Sequence, residues 1–409
     1  MNKFELMPNC EEEFTIEKRL ETNHLFAKHF EDLNYLSVKP FPMVPRELDK
    51  SVLFTGSVTT PFKNYIMGSV PENSAFVIQP CFRAHNIKSF YNDEMPEFCS
   101  TFTGIGLVSR PEHYDKLCLD TLNFLTKKLK VEPDNILVKL TNRDSDINDY
   151  WLNQKGINKQ IDSESCEYYR WKYGIEGIYG RGMTMAIRKN KDYDYQDVGN
   201  VIKIKKNLGE ELAVEVGFGT ETLLTRVYGL PHPISAFPVK EMIPNVDSDQ
   251  KMVKIGDALM AIAGLSCAGV NPGQGNLDRI LRRYIKGLDF ILEKDNLSWN
   301  DMFPVLNKIT KGEYPNNNPQ EIEGSVKKYV DTFQEFKKML VAYVNEVYYN
   351  KTVKRSSLPE FVTKFSENKG IPTPHMDLIL NRNFEKNVID AIKVAGTPNI
   401  RHLIHVLLN

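Results

Sequence analysis

A cluster of prolines near the middle of the chain separates two regions with different hydrophobic patterns. The segment GLPHPISAFPVKEMIP, residues 229–244, is rich in proline, which interrupts helices and central strands because it lacks a backbone N–H donor. Short apolar runs precede this segment, and long runs with helical period follow it. The pattern predicts one domain over residues 1–240 and a second over residues 241–409, with the boundary between Tyr228 and Lys251.

The first region combines many strand-like runs with few helices. Helical apolar spacing covers residues 15–36 and begins again near Pro111. Strand patterns occur in SVLFTGSV, FVIQPCFRAHN, EFCSTFTGIGLV and NILVKL, and then over residues 175–188 and 201–219. Strands interleaved irregularly with few helices favour an antiparallel sheet. We therefore predict an α+β fold, an antiparallel sheet with flanking helices.

The second region has helical period throughout. The runs MVKIGDALMAIAGLSCAG and NLDRILRRYIKGLDFIL are helical and are separated by the breaker NPGQG. The strongest helical pattern covers residues 326–350, and the tail TPNIRHLIHVLLN has Pro398 near the start of a further helix. We predict an all-helical domain here.

Charge and hydropathy exclude several classes of protein. The formal net charge of −1 argues against a strongly basic nucleic-acid scaffold, although a local basic face remains compatible because phosphate affinity depends on clustering. The opening residues, MNKFELMPNCEEEF, are mixed and acidic, unlike a secretory leader. The longest apolar run, Ala258–Val270, is too short to span a bilayer. We expect a cytoplasmic protein without a membrane partner.

The cysteines and histidines favour no metal centre. The six cysteines form no C-x-x-C pair and the eight histidines are scattered, which disfavours a disulfide framework or a zinc site. His402 and His405 are three residues apart, but a terminal amphipathic helix explains this spacing better than a metal site. We expect free thiols and no metal bound directly by such a cluster.

The segment VEVGFGTETLLTRVYG, residues 214–229, passes from strand alternation through G-F-G into a helical pattern. Backbone N–H groups at such a helix start can bind an anion, which makes Gly217 and Gly219 candidate nucleotide contacts. The spacing matches neither the P-loop nor G-x-G-x-x-G, so the residues alone favour a tight strand-to-helix turn. Glu221 is then either an acid suited to the helix dipole or a ligand for a magnesium–nucleotide.

Two further segments of the first region could contribute to a binding site. Arg83 lies within the strand-like QPCFRAHN, where an arginine is costly to bury without an anionic partner. A structural ion pair or an exposed edge position is the ordinary interpretation, and binding of a phosphate is the functional one. The segment YYRWKYGIEGIYGRGMTMAIR contains Trp171 and several tyrosines, which suit a small-molecule pocket or an ordinary core edge.

A basic stripe occurs in the second region. In LDRILRRYIK, basic residues recur at spacings of three and four, as on one face of a helix able to follow a phosphate backbone. They are Arg279, Arg282, Arg283 and Lys286. A solvated helix face is the more common meaning of such a run, and Asp278 and Asp289 partly neutralise it.

Taken in order, these segments resemble the N-terminal portion of alanyl-tRNA synthetases, which are class II aminoacyl-tRNA synthetases. SVLFTGSVTTPFKNYIMG is similar to the family's LLFTNAGMNQFK segment, QPCFRAHN to its second class II motif and STFTG to its HTFFEMLG strand. VEVGFGTETL is similar to the third motif, VDTGMGLERL, and NPGQGNLDRILRR to SNEGRGYVLRRIIRR at the entry to the helical tRNA-binding domain. The colinear similarity extends from about Phe14 to about Leu380.

The resemblance implies a site that uses ATP and Mg²⁺ to activate an amino acid. Arg83 matches the family's invariant arginine and would hold the α-phosphate of ATP, and Phe102 would lie near the adenine-stacking position. Gly217, Gly219 and Glu221 would belong to the ATP-binding third motif.

For the amino acid, the resemblance implies that Trp171 walls the pocket and that Glu215 replaces the aspartate that receives the α-amino group. For tRNA, it implies that Asn271 lies near the acceptor stem and that Glu367 stands at a second acidic stem-reading position. Arg279, Arg282 and Arg283 would contribute to this surface, since helical domains can read RNA through its shallow minor groove.

The chain also departs from the family pattern. The third motif ends in Glu-Arg in the family but in Glu221-Thr222 here, so the arginine expected at the γ-phosphate is missing. Arg226, one helical turn further on, or Arg181 are the candidate substitutes. The family's GGK is HNIK here, which displaces Lys88, a further expected ATP contact, by one position.

Three hypotheses follow. The first is an enzyme that activates a small amino acid, alanine or a relative, as an aminoacyl adenylate and transfers it to an acceptor. The retained helical domain favours tRNA as this acceptor. The second is a ligase that passes the amino acid to a carrier protein or small amine. The third is a catalytically silent paralogue that binds tRNA or an enzyme partner, an interpretation favoured by the missing arginine and opposed by the retention of Arg83, Glu215 and Glu221.

Overall fold

A computed structural model describes residues 15–68, 70–163, 166–207, 209–349, 362, 365 and 367–394 of the chain. These residues fall into two compact units. The first lies within Met1–Asn86 and Glu94–Ala268, and the second within Ile87–Asp93 and Gly269–Asn409. The division into domains at residue 240, made from the sequence, stays a prediction.

The first unit is organised around a nine-stranded sheet. The strands are β1 (Leu36–Ser37), β2 (Ala75–Phe82), β3 (Thr101–Ser109), β4 (Ile136–Thr141), β5 (Asn158–Asp162), β6 (Arg170–Lys172), β7 (Ile178–Ile187), β8 (Gln196–Lys206) and β9 (Glu211–Gly219). Their order is β1-β2-β3-β9-β8-β7-β4-β5, and β6 pairs with β7. The pairs β1–β2 and β4–β5 are parallel and the others antiparallel. The predicted α+β class is therefore confirmed.

Helices flank this sheet. They are α1 (Glu17–Asp32), α2 (Thr59–Met67), α3 (Tyr114–Asn123), α4 (Ser145–Leu152), α5 (Thr220–Tyr228) and α6 (Gln250–Cys267). Phe26 and Phe30 of α1 are fully buried with Phe124, and the Phe26 and Phe124 rings meet edge to face with centroids 5.2 Å apart. Val214 and Val216 of β9 belong to the same cluster. Because side chains alternate along a strand, Glu215, the residue between these valines, faces the other side of the sheet.

Two local predictions in this unit are wrong. SVLFTGSV forms no strand. The Thr55 N–H donates to the Met43 carbonyl (2.9 Å), and the Thr55 carbonyl accepts from Phe82 N–H (2.8 Å). These isolated bonds do not form the ladder of a strand pair. The G-F-G sequence is not a turn: Gly217 and Gly219 lie within β9 opposite glycines of β3, and α5 begins directly at Thr220. A side chain at Gly217 would bring its Cβ within 3.1 Å of Val58, so glycine permits this close packing.

The second unit is helical, as predicted. Its helices are α7 (Asn276–Lys294), α8 (Trp299–Glu313), α9 (Pro319–Tyr349), α10 (Thr373–Asn383) and α11 (Lys386–Val394). Phe333 and Leu340 of α9 are buried in one apolar cluster with Ile379 and Leu380 of α10. The predicted tail helix, with His402 and His405, lies outside the described residues. No helix in the described ranges is both long and apolar enough to cross a membrane.

Candidate active site

A cleft of about 900 Å³ opens in the first unit. It is lined by the loop before α2 and by parts of β3, β6, β7, β8 and β9, together with the start of α5. Most of the residues singled out from the sequence of this unit line it: Arg83, Phe102, Trp171, Glu215, Gly217, Gly219 and Glu221. Segments far apart in sequence are thus brought together by the order of the strands.

Arg83 follows β2 and lies at one side of the cleft. Its backbone N–H donates to the Ser100 carbonyl (2.8 Å), and its Nε donates to the Gly56 carbonyl (2.7 Å). Its guanidinium carbon lies 5.1 Å from the centre of the Phe102 ring, a cation–π distance. Among the described residues it has no carboxylate partner within salt-bridge distance, so a structural ion pair does not apply, and the residue is exposed, as in the other ordinary interpretation. The guanidinium is thus available to an anion in the cleft.

Glu215 presents a buried carboxyl group to the same cleft. Its side chain is only 4% exposed, and its Oε1 accepts a hydrogen bond from Thr59 Oγ1 (2.8 Å). Its Oε2 is buried without a hydrogen-bond partner among the described residues. Burial raises the pKa of Glu215 to about 7, although the nearby hydroxyls of Thr59 and Tyr173 offset part of the increase. A buried acceptor without a donor is costly, which makes this position suited to a ligand that brings a donor.

Aromatic side chains form a wall of the cleft. Trp171 lies in the edge strand β6, opposite Gly180 of β7, and Tyr173 follows it; both line the cleft. A Cβ at Gly180 would come within 2.5 Å of Ile202 and 2.9 Å of Tyr173, so glycine lets the aromatic segment lie against the sheet. The Tyr173 hydroxyl is buried and makes no hydrogen bond of standard geometry among the described residues. Burial raises the pKa of Tyr173 well above its ordinary value, and the nearby charge of Glu215 raises it further.

Glu221 lies in the first turn of α5 and is 1% exposed. Its Oε2 accepts from Thr103 N–H (2.8 Å) and its Oε1 from Thr103 Oγ1 (2.9 Å), and Arg19 lies 3.6 Å away. Burial raises the pKa of Glu221, and Arg19 opposes this. Because both oxygens are engaged, Glu221 is a poor magnesium ligand and instead joins α5 to β3 and α1.

The structure does not bring either candidate substitute for the missing arginine into the cleft. Thr222 lines the cleft, but Arg226 does not, because one helical turn carries it about 5 Å along α5 from the end that faces the cleft. Arg226 is half-buried, and burial lowers its pKa while Glu97 and Asp197 oppose this. Arg181 is held by Asp144, Asp146 and Glu211.

The remaining predicted residues belong to the second unit. Lys88 is exposed in a short 3-10 helix, Ala84–Tyr91, whose residues from Ile87 on group with that unit, and it does not line the cleft. Asn271 is exposed and lies 3.5 Å from Ser325 Oγ. Arg279 and Arg283 are exposed on α7, Arg282 is half-buried, and Glu367 is exposed.

The sequence reasoning missed Thr59 and Tyr173, the two hydroxyl groups beside Glu215. Tyr173 had a signal, since it lies two residues after Trp171 in an aromatic run. Thr59 had none, because its contact with Glu215 joins positions 156 residues apart.

Comparison with known proteins shows what this part of the chain is similar to. Residues 21–208 match the family model described as tRNA synthetases class II (A). This part of the chain, which includes Arg83, Phe102 and Trp171, is thus similar to class II tRNA synthetase domains.

Among curated relatives, the chain is similar to alanine–tRNA ligases. It is 24% identical over 312 residues to the ligase of Vesicomyosocius okutanii, covering 66% of this chain and 35% of the relative. It is 22% identical over 333 residues to that of Wolbachia pipientis wMel, covering 72% and 37%. The chain thus spans about a third of the length of these relatives. The resemblance to the N-terminal region of alanyl-tRNA synthetases is confirmed.

Solved structures of aminoacyl-tRNA synthetases show lower sequence identity to this chain. Asparaginyl-tRNA synthetase of Entamoeba histolytica in complex with asparaginyl-adenylate is 11% identical, with a TM-score of 0.34, covering 54% of this chain and 65% of that chain.

Proposed function

We propose that this chain uses ATP to activate a small amino acid as an aminoacyl adenylate and transfers the aminoacyl group to tRNA. The observation that carries the proposal is the meeting, in one cleft, of an arginine without a carboxylate partner and a buried carboxyl group with an unsatisfied oxygen. The first suits a phosphate and the second suits an ammonium group. A nucleotide carries phosphate groups and an amino acid carries an ammonium group, so the two substrates together match both side chains.

ATP would occupy the side of the cleft near Phe102 and Arg83. The Phe102 ring offers a face for the adenine, and the Arg83 guanidinium lies over that ring. A carboxylate oxygen of the amino acid would attack the α-phosphorus, the bond from that phosphorus to the bridging oxygen would break, and pyrophosphate would leave. The Arg83 charge would stabilise the negative charge that develops on the α-phosphate oxygens, and no covalent enzyme intermediate is needed.

The amino acid would be anchored by Glu215. Its Oε2 would accept a hydrogen bond from the α-ammonium group, a bond strengthened by charge. Glutamate is one methylene longer than the aspartate that the family uses here, so its carboxyl group takes up more of the pocket beside Trp171. We therefore expect alanine or a relative such as glycine or serine as the substrate.

Mg²⁺ would accompany ATP. Glu221 fits this ion poorly, because Thr103 already donates to both of its oxygens and Arg19 lies beside it. Mg²⁺ commonly keeps several waters and binds substrate phosphates through few protein ligands, so no step above depends on a carboxylate of this chain holding it.

The acceptor would be a tRNA acceptor stem bound by the helical region, residues 241–409. The exposed side chains of Asn271, Arg279, Arg283 and Glu367 are suited to a polar RNA surface, with Arg282 beside them. Transfer to a carrier protein or a small amine is the alternative for the second step, and the two are separated by supplying each acceptor to the same adenylate.

The deciding experiment is ATP–pyrophosphate exchange with magnesium and alanine, glycine or serine, on protein shown to be folded by circular dichroism. Exchange with one amino acid is the expected result and identifies the substrate. No exchange with any of them, with ATP binding retained, would contradict the proposal and favour a silent paralogue. Thr222 in place of the motif arginine is the observation that favours this second candidate.

A further inference from the structure

A single acidic residue is buried in the otherwise apolar middle of α6. Asp257 is 1% exposed, and its neighbours Ala258 and Leu259 are fully buried. Burial raises the pKa of Asp257. Asp257 lies outside residues 21–208, which the family model matches, and it does not line the cleft. It therefore has no direct contact with a ligand in the cleft.

The Asp257 carboxyl group accepts three hydrogen bonds from two positions. Ser100 N–H donates to Oδ1 (2.6 Å), and Ser100 Oγ donates to Oδ2 (2.6 Å). Asn86 Nδ2 also donates to Oδ2 (2.9 Å) and to the Phe98 carbonyl (2.7 Å). One carboxyl group on α6 thus holds both ends of the connection that joins β2 to β3.

These two ends carry Arg83 and Phe102. Asn86 is three residues after Arg83, and Ser100 is two residues before Phe102. The Ser100 carbonyl accepts the hydrogen bond from Arg83 N–H (2.8 Å), so a residue bound twice by Asp257 binds the Arg83 backbone directly. Among the described residues, the Arg83 side chain has a bond to the Gly56 carbonyl and a contact with the Phe102 ring, so its location follows that of the backbone.

We propose that Asp257 is a positioning residue, which sets Arg83 against the phosphate of a bound nucleotide through Ser100 and Asn86. This inference rests on the proposed use of ATP. Displacement of a phosphate-binding group by about 1 Å costs on the order of 10²-fold in a reaction that depends on alignment. A buried acceptor on α6 thus contributes to the site without touching it.

The test is a double-mutant cycle on ATP affinity, measured by isothermal titration in the full chain. Asp257→Asn leaves the side-chain volume nearly unchanged but replaces one acceptor oxygen with a donor, so either the bond from Ser100 N–H to Oδ1 or the two bonds from Ser100 Oγ and Asn86 to Oδ2 are lost. We expect ATP affinity to fall by up to about 10- to 100-fold, the value of a hydrogen bond to a charged group that Arg83 would no longer make in full. We expect the double variant with Arg83→Ala to lose no more than Arg83→Ala alone, because positioning matters only while the guanidinium is present.

Asp120→Asn is the matched control. Asp120 is also a buried aspartate of the first unit, accepts a hydrogen bond from Tyr35 (2.9 Å) and does not line the cleft. We expect Asp120→Asn to keep the ATP affinity of the unmodified chain. If Asp257→Asn does not fold, Ser100→Ala removes only the hydroxyl bond and should give a smaller loss, again absent when Arg83 is alanine.

Additive losses in the cycle, or an unchanged affinity in Asp257→Asn, would overturn the positioning role while leaving the proposed function intact. If the unmodified chain binds no ATP, the proposed function fails and the positioning role fails with it.

Discussion

Asp289 in the helical unit and Glu215 in the sheet unit are buried to the same degree, 3% and 4% exposed, but their surroundings differ. Asp289 accepts hydrogen bonds from Trp299 Nε1 (2.8 Å), Gln334 Nε2 (2.6 Å) and Lys337 Nζ (2.7 Å). Within the part of the chain that the structure describes, Glu215 accepts one, from Thr59. A buried carboxylate with several donors stabilises the structure around it, whereas one with an unused oxygen is suited to binding a ligand.

The helical network also shows why a metal-like cluster need not bind a metal. Ligand atoms of Asp289, Glu293 and His375 lie within 4.8 Å of one another. The Lys337 ammonium is 2.7 Å from both carboxylates, so the chain supplies its own cation. Burial opposes ionisation of Glu293, but hydrogen bonds from His375 and Lys337 lower its pKa to about 2.

The largest expected effect follows from removing that cation. Lys337→Met leaves two buried or half-buried carboxylates without their ammonium partner, which should lower the free energy of unfolding by about 3–5 kcal/mol. Urea unfolding followed by far-UV circular dichroism measures this change. Lys338→Met is the control, because Lys338 is exposed and pairs with the exposed Glu335, so we expect little change. Equal stability of the Lys337 variant would refute the structural role of the network.

The second effect is on the cleft. Arg83→Ala should reduce ATP–pyrophosphate exchange about 10²- to 10³-fold, as when one group that stabilises developing charge is removed. Arg188→Ala is the matched control: Arg188 also lies over an aromatic ring, with its guanidinium carbon 4.4 Å from the Tyr195 centroid, but does not line the cleft. Equal losses in both variants would mean that the effect is general destabilisation.

The third effect is on the amino-acid anchor. Glu215→Gln should raise KM for the amino acid about 10- to 100-fold, the value of a hydrogen bond to a charged group, with a smaller change in KM for ATP. Glu211→Gln, in the same strand but engaged with Lys205 and Arg181, should change neither. A rise in KM for ATP alone would assign Glu215 to the wrong substrate.

The pH dependence tests the same anchor. With a pKa of about 7, Glu215 is protonated at lower pH and ionises as pH rises, and only the ionised form pairs with an ammonium group. KM for the amino acid should therefore fall as pH increases through about 7, and Glu215→Gln should abolish this dependence. A KM that increases over this range would contradict the assignment.

Glu215 and Glu293 should also make the free energy of unfolding depend on pH in opposite directions. The pKa of Glu215 is raised from 4.5, so its contribution to folding is present below about 4.5 and is lost as pH rises to about 7. The pKa of Glu293 is lowered from 4.5, so its contribution is present above about 4.5 and is lost as pH falls to about 2. Urea unfolding measures the slope of the free energy of unfolding against pH. Glu215→Gln should reduce this slope only between pH of about 4.5 and 7, and Glu293→Gln only between about 2 and 4.5. A loss of slope in the other range would contradict the assignment.

The sequence was sufficient for the fold class because the proline cluster and the two hydrophobic periods report directly on local structure. It was also sufficient to select residues that share the cleft, since the order of motifs carries information that no single motif holds. It failed at Gly217 and Gly219, where a glycine pair was interpreted as a turn. At Gly217 the reason for glycine is the contact with Val58, more than 150 residues away in sequence, whereas a Cβ at Gly219 would meet Phe102 and Thr222 only at an ordinary contact distance of 3.5 Å.

Arg226 illustrates what helical spacing leaves open. Helical spacing correctly indicates that Thr222 and Arg226 share one face of α5, but it does not indicate how far along that face the cleft extends. Glu221 is similar: its position at the helix start was predictable, whereas its engagement with Thr103 and Arg19 depends on strand order. Contacts between segments distant in sequence decide which polar groups are free to bind, and a local pattern contains no information about them.

The smallest effect concerns the exposed stripe of α7. If Arg279 and Arg283 bind phosphates of tRNA, replacing both with alanine should weaken binding modestly and reduce the slope of log affinity against log salt by about 0.7–0.9 per lost contact. Filter binding between ~50 and ~200 mM salt measures this slope. Lys308→Ala with Lys311→Ala is the control, since both lysines are exposed on α8 and the same charge is removed. A shallower slope in the arginine variant alone would locate phosphates at the stripe, whereas equal slopes in both variants would mean that only net charge matters and that the stripe is an ordinary solvated face.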